Sequence, residues 1–144
     1  QLGPGKQEGG IDYGRYLETK EPADKFAFRT PPLRNVALTG PWTHNGSYVV
    51  LEDVVRHMLS SESGLRDYDP SSLPEPFQST VHLDEALFEE MLETLDGRVA
   101  EPRELSDEEF SQLMAFLNAL TSPSAVDLSY LVPESVPSGL PVYD

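Results

Sequence analysis

Met58 is the residue whose type and setting raise a chemical question. It lies seven residues after Leu51 and four after Val54 in LEDVVRHML, which puts all three on one face of a helix. A thioether in that position has two readings. It fills a core as a flexible apolar side chain, or it offers a haem iron a neutral, soft axial ligand that raises the potential. Periodicity does not choose between them. His57 is adjacent in the chain but about 100° round the helix. The three histidines, His44, His57 and His82, form no i, i+4 pair for a metal, and each alone reads as structural. The acidic pairs Glu89-Glu90 and Glu108-Glu109 splay apart on helices and read as charged, solvated faces. Nucleophile-elbow, HExxH, phosphate-loop and dinucleotide patterns do not occur.

The elements that must position these residues follow from pattern. Leu51, Val54, Val55, Met58 and Leu59 predict a helix over about Leu51–Ser60, with Glu52 and Asp53 complementing its dipole. A second helix is predicted over about Asp84–Leu95, with Leu87, Phe88, Met91, Leu92 and Leu95 on one face and Gly97 as its stop. A third is predicted over about Asp107–Leu120, opened by a Ser106/Glu109 capping box and closed by Pro123. Residues 1–50 carry Gly3-Pro4-Gly5, Gly9-Gly10, Pro31-Pro32 and Thr39-Gly40-Pro41, so they read as long ordered loop, with a short strand near Phe26–Arg29. Residues 61–81 read as a Ser/Pro/acid-rich linker. Residues 122–144 read as an extended tail. The fold class is therefore mainly α, with three main helices and long Pro/Gly-rich loops.

Composition narrows the function. The 144 residues carry 10 Lys/Arg against 25 Asp/Glu, a net charge of −15. Residues 1–50 account for +1 (six basic, five acidic) and residues 51–144 for −16 (four basic, twenty acidic). That argues against a nucleic-acid partner. The bland reading of the acidic part is a solvated surface; the functional one is attraction of a basic partner, such as a small electron-donor protein. Cysteine is absent, so this chain makes no disulfide, no zinc–thiolate site and no covalent haem attachment. No apolar run approaches a transmembrane segment. The apolar share is low for a globular domain, which points to burial completed by a cofactor or partner. A start at Gln1 without a signal peptide reads as a processed or excised piece.

The stretch 26–58, FAFRTPPLRNVALTGPWTHNGSYVVLEDVVRHM, closely resembles the C-terminal haem domain of bacterial di-haem cytochrome c peroxidases and their MauG-like relatives. The family pattern matches at Phe28 to Asn35, Leu38 to Pro41, His44 to Gly46 and the helix from Leu51 to Met58. Residues 11–26 resemble the family's lead-in segment, 106–121 its closing helix and 132–142 the tail of one branch. On that resemblance the chain is the C-terminal portion of a cytochrome c-like haem domain: 1–50 the haem- and calcium-contacting loops, 51–121 the helical segment and 122–144 the tail.

The resemblance implies specific roles. Met58 takes the distal axial position on the electron-transferring haem. MauG-like members have Tyr there, so Met58 favours the peroxidase type. Thr39 and Pro41 give backbone carbonyls to a calcium ion, a hard cation suited to such oxygens. Arg34 sits near haem propionates, against a bland reading as an interior salt bridge. Trp42 and His44 line the same haem edge, His44 alternatively fixing its loop by a hydrogen bond. The cofactors implied are haem c and calcium. The family's Cys-x-x-Cys-His motifs are missing, so haem must come attached to a segment or subunit outside this sequence, and the chain alone is expected to be inactive. The implied reaction is reduction of hydrogen peroxide with electrons from a small donor protein, in the periplasm or otherwise exported. The alternatives are a haem-free binding subunit and a MauG-like protein-modifying enzyme. Val50, where relatives have a capping Thr or Ser, weakens the start of the Met58 helix.

Overall fold

A computed structural model describes residues 11–81 and 84–140. His82 lies outside the described residues, as do residues 1–10 and 141–144, which belong to the predicted loop segment and tail. The described chain is mainly α. Seven α-helices run in the order α1 (Tyr16–Thr19), α2 (Leu51–Leu59), α3 (Ser61–Arg66), α4 (Glu75–Gln78), α5 (Glu85–Glu93), α6 (Gly97–Ala100) and α7 (Asp107–Ala119). The long ones, α2, α5 and α7, are those expected from apolar periodicity, each within two residues at either end.

Local chemistry explains their ends. Ser106 accepts from the Glu109 amide while the Glu109 carboxylate accepts from the Ser106 amide, closing the predicted capping box on α7. Asp84 caps α5 through the Leu87 amide. The N-cap of α2 is Val50, whose side chain cannot cap.

Three expectations are corrected. Residues 61–81 are not a bare linker, because α3 turns back on α2 after a break at Ser60 and α4 follows. Six residues are too few to show helical periodicity, so tertiary contacts decide them. Phe26–Arg29 forms no strand; its place is taken by a single parallel bridge between Gly14 and Ala27. Gly97 does not end α5 but opens α6, with the Asp96 carboxylate accepting from the Arg98 amide.

The core is small. Leu51 and Val54 of α2 pack on Met114 and Leu117 of α7, flanked by Val36, Ala37, Trp42 and Tyr48 from the preceding loop. Leu87 and Phe88 of α5 are buried separately. Two ion-pair clusters join the parts. Lys25 lies over the rings of Tyr13 and Tyr16 and pairs with Glu90, tying the first loop to α5. Arg66 holds Glu62, Glu85 and Glu89, tying α3 to α5. The accessible surface is 10,544 Å², against about 7,400 Å² for a compact monomer of 16 kDa. Leu33, Leu38, Val50, Met58, Phe116 and several tail side chains are exposed.

Candidate functional site

The loop ahead of α2 is held in shape by its own polar groups. Asn35 takes a left-handed conformation (φ 56°), which asparagine tolerates better than most residues. Its amide donates to the Leu120 carbonyl at 3.2 Å, and its side-chain oxygen accepts from the Ser122 amide at 2.8 Å. The loop is thereby pinned to the end of α7. Val36–Leu38 form one 3₁₀ turn, and the Trp42 indole N–H donates to the Val36 carbonyl at 2.8 Å. Trp42 and Tyr48 pair as an antiparallel bridge, closing the loop against the core. Inside it, Thr43 Oγ1 donates to Asn45 and accepts from the Ser47 amide.

On this frame the sequence-predicted residues fall in different settings. Thr39 and Pro41 flank Gly40 on the exposed side of the turn, and no described group donates to either carbonyl. They supply two oxygens where calcium takes six to eight. Among the described residues, no group of three His, Cys, Asp or Glu side chains converges to hold a metal. Arg34 is exposed and forms no ion pair with a described residue, so it is not the interior salt bridge of its bland reading. His44 stacks on Phe28, with ring centroids 3.7 Å apart, and desolvation lowers its pKa. Trp42 is half-buried, with one side packed against the small core.

Met58 differs most from its bland reading. It shares the angular face of Leu51, two turns away, yet it is 56% exposed where Leu51 is 8%. The reason is that α7 covers only the first part of α2, through Met114, Leu117 and, further along, Phe110 beneath the Arg56 guanidinium. Met58 is therefore not a core methionine within the described residues.

His57 is the opposite case. Its ring lies between α2 and α3, tilted against Tyr48 at 5.3 Å, with Nδ1 buried against Gly64 and in no well-formed hydrogen bond among the described residues. Burial lowers its pKa. Tyr48 donates its hydroxyl proton to the Gly64 carbonyl at 3.1 Å, and burial, with Tyr68 and Asp53 nearby, pushes its pKa up to about 12. The structural expectation for His57 thus matches its setting, and its side chain points away from the exposed thioether's face. Asn35, Tyr48 and Gly64 were not singled out by sequence pattern. The one legible signal was an asparagine in a turn-rich run; Gly64 lay in a stretch read as linker.

Comparison with known proteins agrees with the resemblance to cytochrome c peroxidases. Cytochrome c551 peroxidase of Pseudomonas aeruginosa is 45% identical over 53 residues, 37% of this chain and 15% of that protein. Cytochrome-c peroxidase IdrP1 of Denitromonas iodatirespirans is 52% identical over 44 residues, 31% of this chain and 12% of the relative. Cytochrome c peroxidase Ccp of Escherichia coli is 45% identical over 53 residues, 37% of this chain and 11% of the relative. The chain thus matches only a small part of these relatives' length. No family model matches, and no solved structure matches significantly. Over the matched part the chain is cytochrome c peroxidase-like.

Proposed function

We propose that this chain is the C-terminal haem-domain portion of a bacterial di-haem cytochrome c peroxidase-like oxidoreductase, and that Met58 is the distal ligand of its electron-transferring haem. The observation that carries the reading is the exposed thioether at the end of an otherwise packed helix face. A thioether left more than half exposed by the described chain suits one edge of an apolar planar group. The residues present fit only the distal half of such a site. The sequence has no cysteine, so attachment and the proximal histidine belong to a segment or subunit carrying Cys-x-x-Cys-His.

When bound, the haems supply the redox chemistry: two electrons and two protons convert hydrogen peroxide to two waters, with a small donor protein as electron source. This chain's residues bind and orient. Met58 presents sulfur to the iron and favours its reduced state. Arg34, exposed and in no ion pair with a described residue, offers a planar fork of donors to propionate carboxylates. Trp42 and His44 border the haem edge and limit water there. The Thr39 and Pro41 carbonyls contribute two oxygens to a calcium ion completed by water and the haem-bearing segment. The acidic character of residues 51–144 suits a basic donor surface. No described helix is long and apolar enough to cross a membrane; the family resemblance supports a periplasmic or otherwise exported enzyme. Alone, the chain is inactive.

The test is to purify the assembled protein, weigh every chain and record its absorption spectrum. The reading expects covalent haem on a segment bearing Cys-x-x-Cys-His together with this sequence. A folded, monodisperse, haem-free sample containing only the 16 kDa chain contradicts it. Calcium has its own test. Chelation should release the metal and weaken coupling between the haems, and unchanged metal content, spectrum and activity would remove calcium from the account.

A further inference from the structure

Met58 combines a largely exposed side chain with neighbours that are held in place. Each neighbour is fixed by a different part of the fold. The Arg56 guanidinium lies 4.2 Å from the centre of the Phe110 ring on α7. The Leu59 carbonyl accepts from the Arg103 amide at 2.8 Å. His57 is enclosed by Tyr48 on one side and α3 on the other. The closest approach is at Gly64. A Cβ there would lie 2.3 Å from His57 Nδ1 and 2.9 Å from both its Cγ and its Cα. The last contact is to backbone, which cannot swing aside like a side-chain tip. Gly64 does not occupy the left-handed region, so backbone freedom does not account for it. Glycine is a poor helix former, and here it sits inside a six-residue helix. Its absent side chain is what permits the approach of α3 to α2. The Tyr48 hydroxyl then holds the Gly64 carbonyl, and the Tyr68 hydroxyl holds the Ser47 carbonyl beneath Tyr48.

We infer that Gly64, with Tyr48, is a positioning residue for Met58: the close seating of α3 on His57 fixes the last turn of α2 and so sets where the sulfur stands. This rests on Met58 being the haem ligand. A side chain at Gly64 must separate α3 from α2 or tilt the end of α2. Either outcome moves a donor whose bond to iron tolerates little displacement.

The experiment uses the assembled, haem-loaded protein. Four variants are compared with the parent: Met58→Ala, Gly64→Ala, Tyr48→Phe and the double variant Gly64→Ala/His57→Ala. Two readouts are taken, the thioether-to-ferric-iron charge-transfer band and the rate at which added imidazole displaces the sixth ligand. Met58→Ala should abolish the band. Gly64→Ala should weaken it and speed displacement on the order of tenfold or more, as expected from overpacking a close contact. Tyr48→Phe should do the same to a smaller extent, and it remains decisive if Gly64→Ala fails to assemble. Removing the His57 ring relieves two of the three close contacts, so the double variant should recover part of the band, which a general loss of stability would not explain. If Met58→Ala leaves the band intact, the ligand reading falls and this inference with it. If Met58→Ala abolishes the band while Gly64→Ala and Tyr48→Phe leave both readouts at parental values, positioning by Gly64 is overturned and the ligand reading stands.

Discussion

Val50 occupies the N-cap of the helix that carries Met58, and it is a residue that cannot cap. Its backbone is already extended (φ −117°, ψ 127°), the conformation a capping residue adopts and one that suits a β-branched side chain. Val50→Thr should therefore place a hydroxyl oxygen where it can accept from an amide of the first turn of α2 without moving the backbone. Capping contributes roughly 0.5–2 kcal/mol, typically about 1. Against it stands one methyl exchanged for hydroxyl at a position 41% exposed, a loss of about 0.5 of the roughly 0.8 kcal/mol of a fully buried group. The net gain is about 0.5 kcal/mol, up to about 1.5. Unfolding entropy for 144 residues is roughly 300 cal/mol/K near the midpoint, so Tm should rise about 2 °C, up to about 5 °C. Ser106→Ala, which removes a cap present on α7, calibrates the scale and should lower Tm by about 3 °C. Thermal unfolding followed by far-UV circular dichroism reads both. A fall for Val50→Thr, beside the expected fall for Ser106→Ala, would refute the reasoning about the start of α2.

Asn35 is predicted to matter twice. Asn35→Gly loses the tie to Ser122 at about 1 kcal/mol, while Asn35→Ala adds a left-handed backbone penalty of about 1–2 kcal/mol; equal losses in urea unfolding would deny the backbone part. Burial holds the His57 pKa below its ordinary value, so the unfolded chain takes up a proton that the folded chain refuses. The stability from neutral His57 is then complete above about pH 6.5 and is lost as pH falls below it towards the folded pKa, by at most about 1.36 kcal/mol per pH unit. Urea midpoints measured from neutral to mildly acidic pH should show this slope, and His57→Gln should flatten it; an unchanged slope would assign it to other groups, His44 among them.

Much of the helical frame was legible because α2, α5 and α7 each repeat apolar residues over two turns or more, and Ser106 with Glu109 marks a start by itself. The short elements were not. α3 is decided by the seating of Gly64 on His57, a contact between residues whose meeting no local period reveals. Gly97 followed a helix and read as its stop, but Asp96 before it made it a beginning. Periodicity placed Met58 on the face of Leu51 and Val54 yet could not tell how far along α2 that face would be covered. That depended on where α7 crosses, which is a tertiary fact. The 26–58 motif carried the resemblance to cytochrome c peroxidases. The pinning role of Asn35 inside it became visible only with the Leu120 and Ser122 contacts.

The central claim is that sulfur from Met58 binds the iron of the electron-transferring haem. The most direct test is the midpoint potential and ferric spectrum of that haem in the assembled protein, compared for Met58→His and His57→Ala. Exchanging a thioether for a more basic imidazole should lower the potential and replace the thioether band with a bis-nitrogen low-spin spectrum, while His57→Ala, which only loosens the packing at the end of α2, keeps the haem low-spin with a thioether band at most weakened. If His57→Ala removes the low-spin signal and Met58→His leaves potential and spectrum at parental values, the ligand is not Met58 and the account is contradicted.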